Sequence, residues 1–99
     1  MKKTEKSADG TSFHDIIIKT TINELTRVLG EPTWNNNSGD DKVNVEWVCE
    51  TIDGDVVTIY DWKEYRPIEL DEEIEFHLGG HSENITLIGL EELIILLGK

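Results

Sequence analysis

The chain has 99 residues, of which 37% are hydrophobic and 30% charged, and its net charge is -12 at pH 7. That length makes one domain with one core, and three Trp, two Tyr and two Phe supply enough anchors to exclude global disorder. So acidic a chain repels phosphate backbones, which argues against direct nucleic-acid binding and favours a protein partner with a basic surface.

The first stretch, MKKTEKSADGTS, has lysines but no apolar segment behind them, so neither a signal peptide nor a membrane anchor is expected. Nowhere does an apolar run reach the roughly 18 residues of a membrane-spanning helix. Residues 1–12 are expected as a flexible tail, with the folded domain at 13–99. Cys49 is the one cysteine. It allows no intramolecular disulfide and fits a reducing compartment such as the cytoplasm.

Phe13 to Thr20 contains three consecutive isoleucines, whose branched side chains favour a strand. Apolar residues on both its faces imply either cover on both sides or pairing with another chain. A short helix follows. Thr21 and Glu24 have capping-box spacing, and Ile22, Leu25, Val28 and Leu29 fall on one face. Gly30 ends the helix and Pro32 prevents its continuation. TWNNNSGDD then reads as a loop, rich in residues that bond locally or tolerate positive φ, with Trp34 packed beneath it.

KVNVEWVCETI alternates, which puts Val43, Val45, Trp47 and Cys49 on one face of a strand. VVTIYDW returns after the turn DGD. A two-residue turn at Asp53 and Gly54 would set Trp47 opposite Tyr60 and Val45 opposite Trp62, and a turn one residue longer would flip those faces. KEYRPIELDEE reads as a loop or irregular edge, because Pro67 cannot donate to a central ladder. EIEFHL alternates again, with Ile74, Phe76 and Leu78 inward and Glu73, Glu75 and His77 outward. The last element, ENITLIGLEELIILLGK, reads as a helix that is apolar nearly all round from Leu87 to Leu97, with Ser82 or Asn84 as its cap and a short strand at 85–88 before it as an alternative beginning. Its circumference asks for burial on more than one side, which leaves two readings, a homodimer contact through Leu90, Leu93, Ile94 and Leu97 or a simple core helix. These elements make an α+β fold, an antiparallel sheet of three or four strands with two helices packed on one face.

EFHLGGHSEN sets His77 and His81 four apart. Helical spacing of that kind would suit zinc, but the residues around His77 alternate as in a strand and Gly79 and Gly80 interrupt regular structure. A metal would need a third ligand such as His14, Cys49 or Asp61, and no CxxC, HExxH or EF-hand spacing exists. Cys49 on a buried hairpin face would be an inert thiol. Ser82 beside His81 does not make a dyad, and the glycine pair lacks the ending of a P-loop. Glu72 with Glu73, Glu91 with Glu92, and Asp53 with Asp55 are acid pairs at expected solvated places, and nothing marks two of them as a glycosidase pair. The two Asn-X-Ser/Thr patterns, at Asn36 and Asn84, carry no weight without a secretion signal. No catalytic residue and no cofactor is expected. A small metal-dependent hydrolase using His77 and His81 is the weakest of three readings.

The stretches LGEPTW, VEWVCETIDGDVVTIYDWKEY and FHLGG, in that order, resemble a group of small acidic proteins of uncharacterised function encoded by bacteriophages and large DNA viruses. In that group a helix ending in LGEP precedes a hairpin with TIYDWK and a strand ending in HIGG or a similar sequence. The likeness spans residues 21 to 81. This chain departs from it in having Phe76 at a place for a tryptophan-like aromatic, and in its long apolar C-terminal element. The resemblance implies viral origin, the cytoplasm of a host cell and a host protein as partner. The expected function is therefore a non-enzymatic acidic interaction module that binds or inhibits a host factor with a basic surface. Its candidate contact residues are Glu64, Glu69, Asp71, Glu72, Glu73, Glu75, His77 and His81. A self-assembling homo-oligomer is the alternative.

Overall fold

A computed structural model describes residues 1–99. It contains strands β1 (Lys2–Lys3), β2 (Ser12–Thr20), β3 (Trp34–Asn35), β4 (Val45–Glu50), β5 (Val56–Tyr60) and β6 (Ile74–Gly80), with helices α1 (Ile22–Leu29) and α2 (Glu83–Leu97). The fold is α+β. Its antiparallel sheet has six strands rather than three or four, in the order β1-β4-β5-β6-β2, with β3 also paired to β4. The two extra strands are pairs of residues too short to leave an alternating pattern.

The hairpin pairs Glu50 with Val56, Trp47 with Ile59 and Glu46 with Tyr60. The expected pairs Trp47–Tyr60 and Val45–Trp62 therefore do not form. The cause is a three-residue turn, Ile52-Asp53-Gly54. Thr51 N–H donates to Asp55 O at 2.9 Å, Gly54 N–H donates to Thr51 O at 2.9 Å, and Gly54 sits at φ 87°. A glycine at that left-handed third position is what a three-residue hairpin loop needs. The extra residue turns Tyr60 away from the core and brings Ile59 in.

Trp47, Cys49, Val57, Ile59, Phe76 and Leu78 thus form the inner face, and Leu25, Leu29, Leu93 and Leu97 of the helices belong to the same buried cluster. β6 follows its predicted alternation, with Ile74, Phe76 and Leu78 buried and Glu75 exposed. β2 buries Ile16 and Ile18 but leaves Ile17 41% exposed, so it is not covered on both sides within the chain. A bulge at its middle sets five residues, Phe13 to Ile17, against the three from His77 to Gly79 of β6, with Asp15 at φ 61°.

Both helices carry the expected hydroxyl caps. Thr21 Oγ1 accepts from Glu24 N–H at 3.0 Å, and Ser82, not Asn84, caps α2 by accepting from Ile85 N–H at 3.1 Å. No strand forms at 85–88. The first residues do not hang free. Lys2 and Lys3 pair with Glu50 and Cys49. Thr4 N–H donates to Val48 O at 3.0 Å, and the Met1 amino group lies 2.9 Å from Glu92. Backbone donors at the edge of β4 and two carboxylates draw this basic stretch onto the sheet.

α2 also departs from expectation. Leu93 is 0% and Leu97 8% exposed, so both belong to the core of this chain and are not free to meet a partner. Leu90 and Ile94 are partly buried against the same cluster. The apolar side left to solvent is Leu87, Ile95 and Leu96.

Gly89 lets α2 sit close to β5. A Cβ there would stand 2.8 and 2.9 Å from the two methyls of Val57, a side chain with no exposure and no room to yield. Gly89→Ala gains about 1 kcal/mol of helix propensity but is expected to lose more than that to overpacking, which costs about 1–3 kcal/mol. Thermal unfolding followed by circular dichroism should show a lower Tm. A Tm equal to or above that of the parent would mean that α2 does not bear on Val57.

Candidate functional site

The register places a row of side chains across the outer face of the sheet. Trp34 pairs with Glu46, Glu46 with Tyr60, Tyr60 with His77, and His77 with Ile17. Directly opposed residues in antiparallel strands share a face, so these five stand together. Trp34, expected beneath a loop, is instead in β3 and 41% exposed.

The neighbouring row is Val48, Thr58, Gly79 and Phe13. The bulge in β2 spans two extra residues, an even number, which keeps Phe13 on the same face as Ile17. The Phe13 ring stacks on His77 at 4.1 Å between centroids. Tyr60 meets His77 at 5.6 Å, and Trp62, two residues beyond the end of β5, lies 6.2 Å from both rings. Four aromatic rings thus meet on the face opposite Trp47, Ile59 and Leu78.

Gly79 is required there. A Cβ would fall 2.7 Å from Thr58 Oγ1 and 3.4 Å from Ser12 O. Without one, the sheet keeps a depression of about 240 Å3, bordered by Thr11, Glu46, Thr58, Tyr60, Trp62 and Gly79. Val43, expected inward, also lines this depression, because β4 begins only at Val45.

Burial pushes the Glu46 carboxyl above its ordinary range. Burial also raises the Tyr60 hydroxyl, and the nearby Glu46 charge adds to that. His77 is lowered by burial, against the opposing pull of Glu75 and Asp61. The Glu46 carboxylate has no ion-pair partner among the five ion pairs of the chain and no side-chain hydrogen bond.

Asp61 is engaged elsewhere. Fully buried, its carboxylate accepts from Asn44 N–H at 2.7 Å, Val45 N–H at 2.9 Å and Asn44 Nδ2 at 3.0 Å. Asn44 also donates to Arg66 O at 3.0 Å and accepts from Gly39 N–H at 3.0 Å. Asn37 completes the join, donating to Ile68 O at 2.8 Å and accepting from Ile68 N–H at 2.7 Å. The loops 36–44 and 61–68 are thereby stitched together.

The predicted contact residues divide into groups. Arg66 binds Glu72 through both terminal guanidinium nitrogens and lies 3.7 Å from Glu64. Its hydrogen bonds hold the Glu72 carboxyl below the usual range. Glu69, Asp71, Glu73 and Glu75 are exposed and have no ion-pair partner. His77 belongs to the aromatic row, whereas His81 is exposed beyond the strand end, near Gly10. The two histidines therefore occupy different surroundings. His14 Nε2 donates to Gly80 O at 3.0 Å, and burial pushes the Cys49 thiol up to about 12. No group of three His, Cys, Asp or Glu side chains is placed to hold a metal.

Phe13, Glu46, Tyr60 and Trp62 are absent from the predicted set. Alternation in TIYDW separates Tyr60 from Ile59, but only the length of the preceding turn decides which of them faces out.

The sign of the His77 effect follows from its lowered pKa. Below the ordinary value of 6.5 the unfolded chain takes up a proton that folded His77 resists. Its contribution to stability is full above that value and is lost as pH falls through it toward the folded value. Chemical denaturation should show stability falling between about pH 7.5 and about pH 5.5. His77→Phe, which keeps a ring against Phe13, should flatten that slope. An equal slope in parent and variant would show that His77 titrates freely.

Comparison of the chain with protein-family models, with curated proteins and with solved structures finds no match.

Proposed function

We propose that the protein is a non-enzymatic binding module that docks on a basic surface of a protein partner. The observation that carries this reading is the set Glu69, Asp71, Glu73 and Glu75, exposed and unneutralised in a chain of net charge -12. Glu64 and Glu72 are half-buried against Arg66 and contribute less. Electrostatic attraction of this kind speeds encounter and selects partners by charge. The likeness to phage and large-virus proteins over residues 21 to 81 supports a host protein as the target, in the host cytoplasm. A basic nucleic-acid-binding channel of a host enzyme has the matching chemistry.

Immobilised protein is offered a lysate of the host, captured proteins are identified by mass spectrometry, and the affinity of the purified partner is then measured against salt. Between about 0.1 M and about 1 M salt the screening length falls from about 10 Å to about 3 Å, and affinity should fall with it. Glu69→Lys combined with Asp71→Lys should weaken binding about tenfold, or about 1.4 kcal/mol. An affinity indifferent to both salt and these reversals removes the reading.

Self-association is a second reading, favoured by one observation. Ile52 is 87% and Ile95 76% exposed, and both line a groove of about 520 Å3 between the β4–β5 turn and α2. Burying such side chains against a second copy removes apolar surface from water. Light scattering at high micromolar concentration should then report a dimer, and Ile95→Lys should return it to a monomer. A monomeric mass for the parent protein excludes this route.

A further inference from the structure

The acidic stretch at 64–75 gives charge but no recess. The outer face of the sheet has the recess, and one carboxylate in it has no partner. We propose that the depression beside Tyr60 and Trp62 receives an arginine side chain from the basic partner, with Glu46 accepting from the guanidinium and the Tyr60 ring as the wall it lies against. This assignment rests on the reading of the protein as a binder of basic surfaces, and adds to it the group that is recognised.

Size comes first. About 240 Å3 is below the range of about 300–1,000 Å3 usual for small-molecule sites. It suits a single side chain rather than a cofactor or metabolite.

Glu46 is half-buried, and no group of the chain gives it a hydrogen bond or a counter-charge. Leaving a desolvated carboxylate unpaired is a cost to the folded chain, and an incoming cation removes that cost. The Trp62 ring at the rim is already covered by two cations of the chain itself, so an incoming cation is directed to Glu46 and the Tyr60 ring. The ammonium groups of Lys42 and Lys63 lie 5.9 and 5.6 Å from the centre of the Trp62 ring. Glu46 and Tyr60 have no cation of their own.

Arginine fits better than lysine. Its guanidinium is planar and weakly hydrated, lies flat on aromatic rings, and donates two parallel hydrogen bonds to one carboxylate. Lysine offers a compact, strongly hydrated charge that gives up more water on entering a half-buried recess. The floor leaves the space open, because Gly79 and Thr58 meet with no intervening side chain.

The test uses capped hexapeptides rich in arginine, lysine or citrulline, titrated into the isotopically labelled protein and followed by NMR. The arginine peptide should move the Trp62 indole N–H signal and the Tyr60 ring signals saturably, the lysine peptide should bind there several-fold more weakly, and the neutral citrulline peptide should leave them in place. Glu46→Gln should weaken arginine binding about fivefold or more while its Tm stays at or above that of the parent, because a neutral amide replaces a desolvated charge. Loss of binding in that variant is then not loss of fold. If the arginine peptide moves only signals of residues 64–75 and Glu46→Gln binds as the parent does, the recess is not the receptor, while the acidic-surface reading stands. Lysine binding equal to arginine at Tyr60 and Trp62 overturns the choice of guanidinium. Absence of binding by either basic peptide at low salt overturns both readings.

Discussion

The three-residue turn between β4 and β5 decides which side chains each face of this protein carries. Closing the hairpin through Thr51 and Asp55, with Gly54 in a left-handed conformation, pairs Glu46 with Tyr60 and Trp47 with Ile59. Trp47 and Ile59 then close the core, and both are fully buried. Tyr60 stands outside with Glu46, and β6 adds His77 beside them. A turn one residue shorter would bring Tyr60 inward and put Ile59 in water. A single glycine near position 54 thus separates a buried aliphatic layer from an exposed aromatic one.

Much of this was legible in the sequence where local rules suffice. α1 has its Thr21 cap and its Gly30 stop. β6 alternates from Ile74 to Leu78, and α2 begins after Ser82. These signals involve neighbours in the chain, and nothing distant overrides them. What stayed hidden depends on distant partners. Lys2 and Lys3 become a strand only because β4 offers an edge, and Trp34 leaves its loop for the same reason. No propensity of two residues predicts that.

The site was legible in part. Composition marks the acidic stretch, but it does not reveal that Arg66 binds Glu72 and lies near Glu64, leaving four carboxylates unpaired. The apolar circumference of α2 is visible in sequence, while the division of its leucines is not. Leu93 and Leu97 face the sheet, and Leu87, Ile95 and Leu96 face solvent. That division depends on the rotation of the helix, which Gly89 against Val57 sets by close approach. Glu46, Tyr60 and Trp62 were recognisable as polar and aromatic residues, but only the register made them neighbours.

The join made by Asn37, Asn44 and Asp61 has a consequence for how the acids meet another molecule. Gly39 lies so close to Arg66 that a Cβ there would come within 2.7 Å of its Cα. Asn44 and Asn37, from the same loop as Gly39, hold Arg66 and Ile68 by hydrogen bonds. The loop that leads into the carboxylates is therefore anchored before any encounter, and association has less freedom left to remove there. An anchored array also cannot rearrange its spacing to suit each newcomer. On the proposed reading, a basic partner is selected by whether its cations match a template already set, and a merely positive surface with the wrong spacing is held weakly.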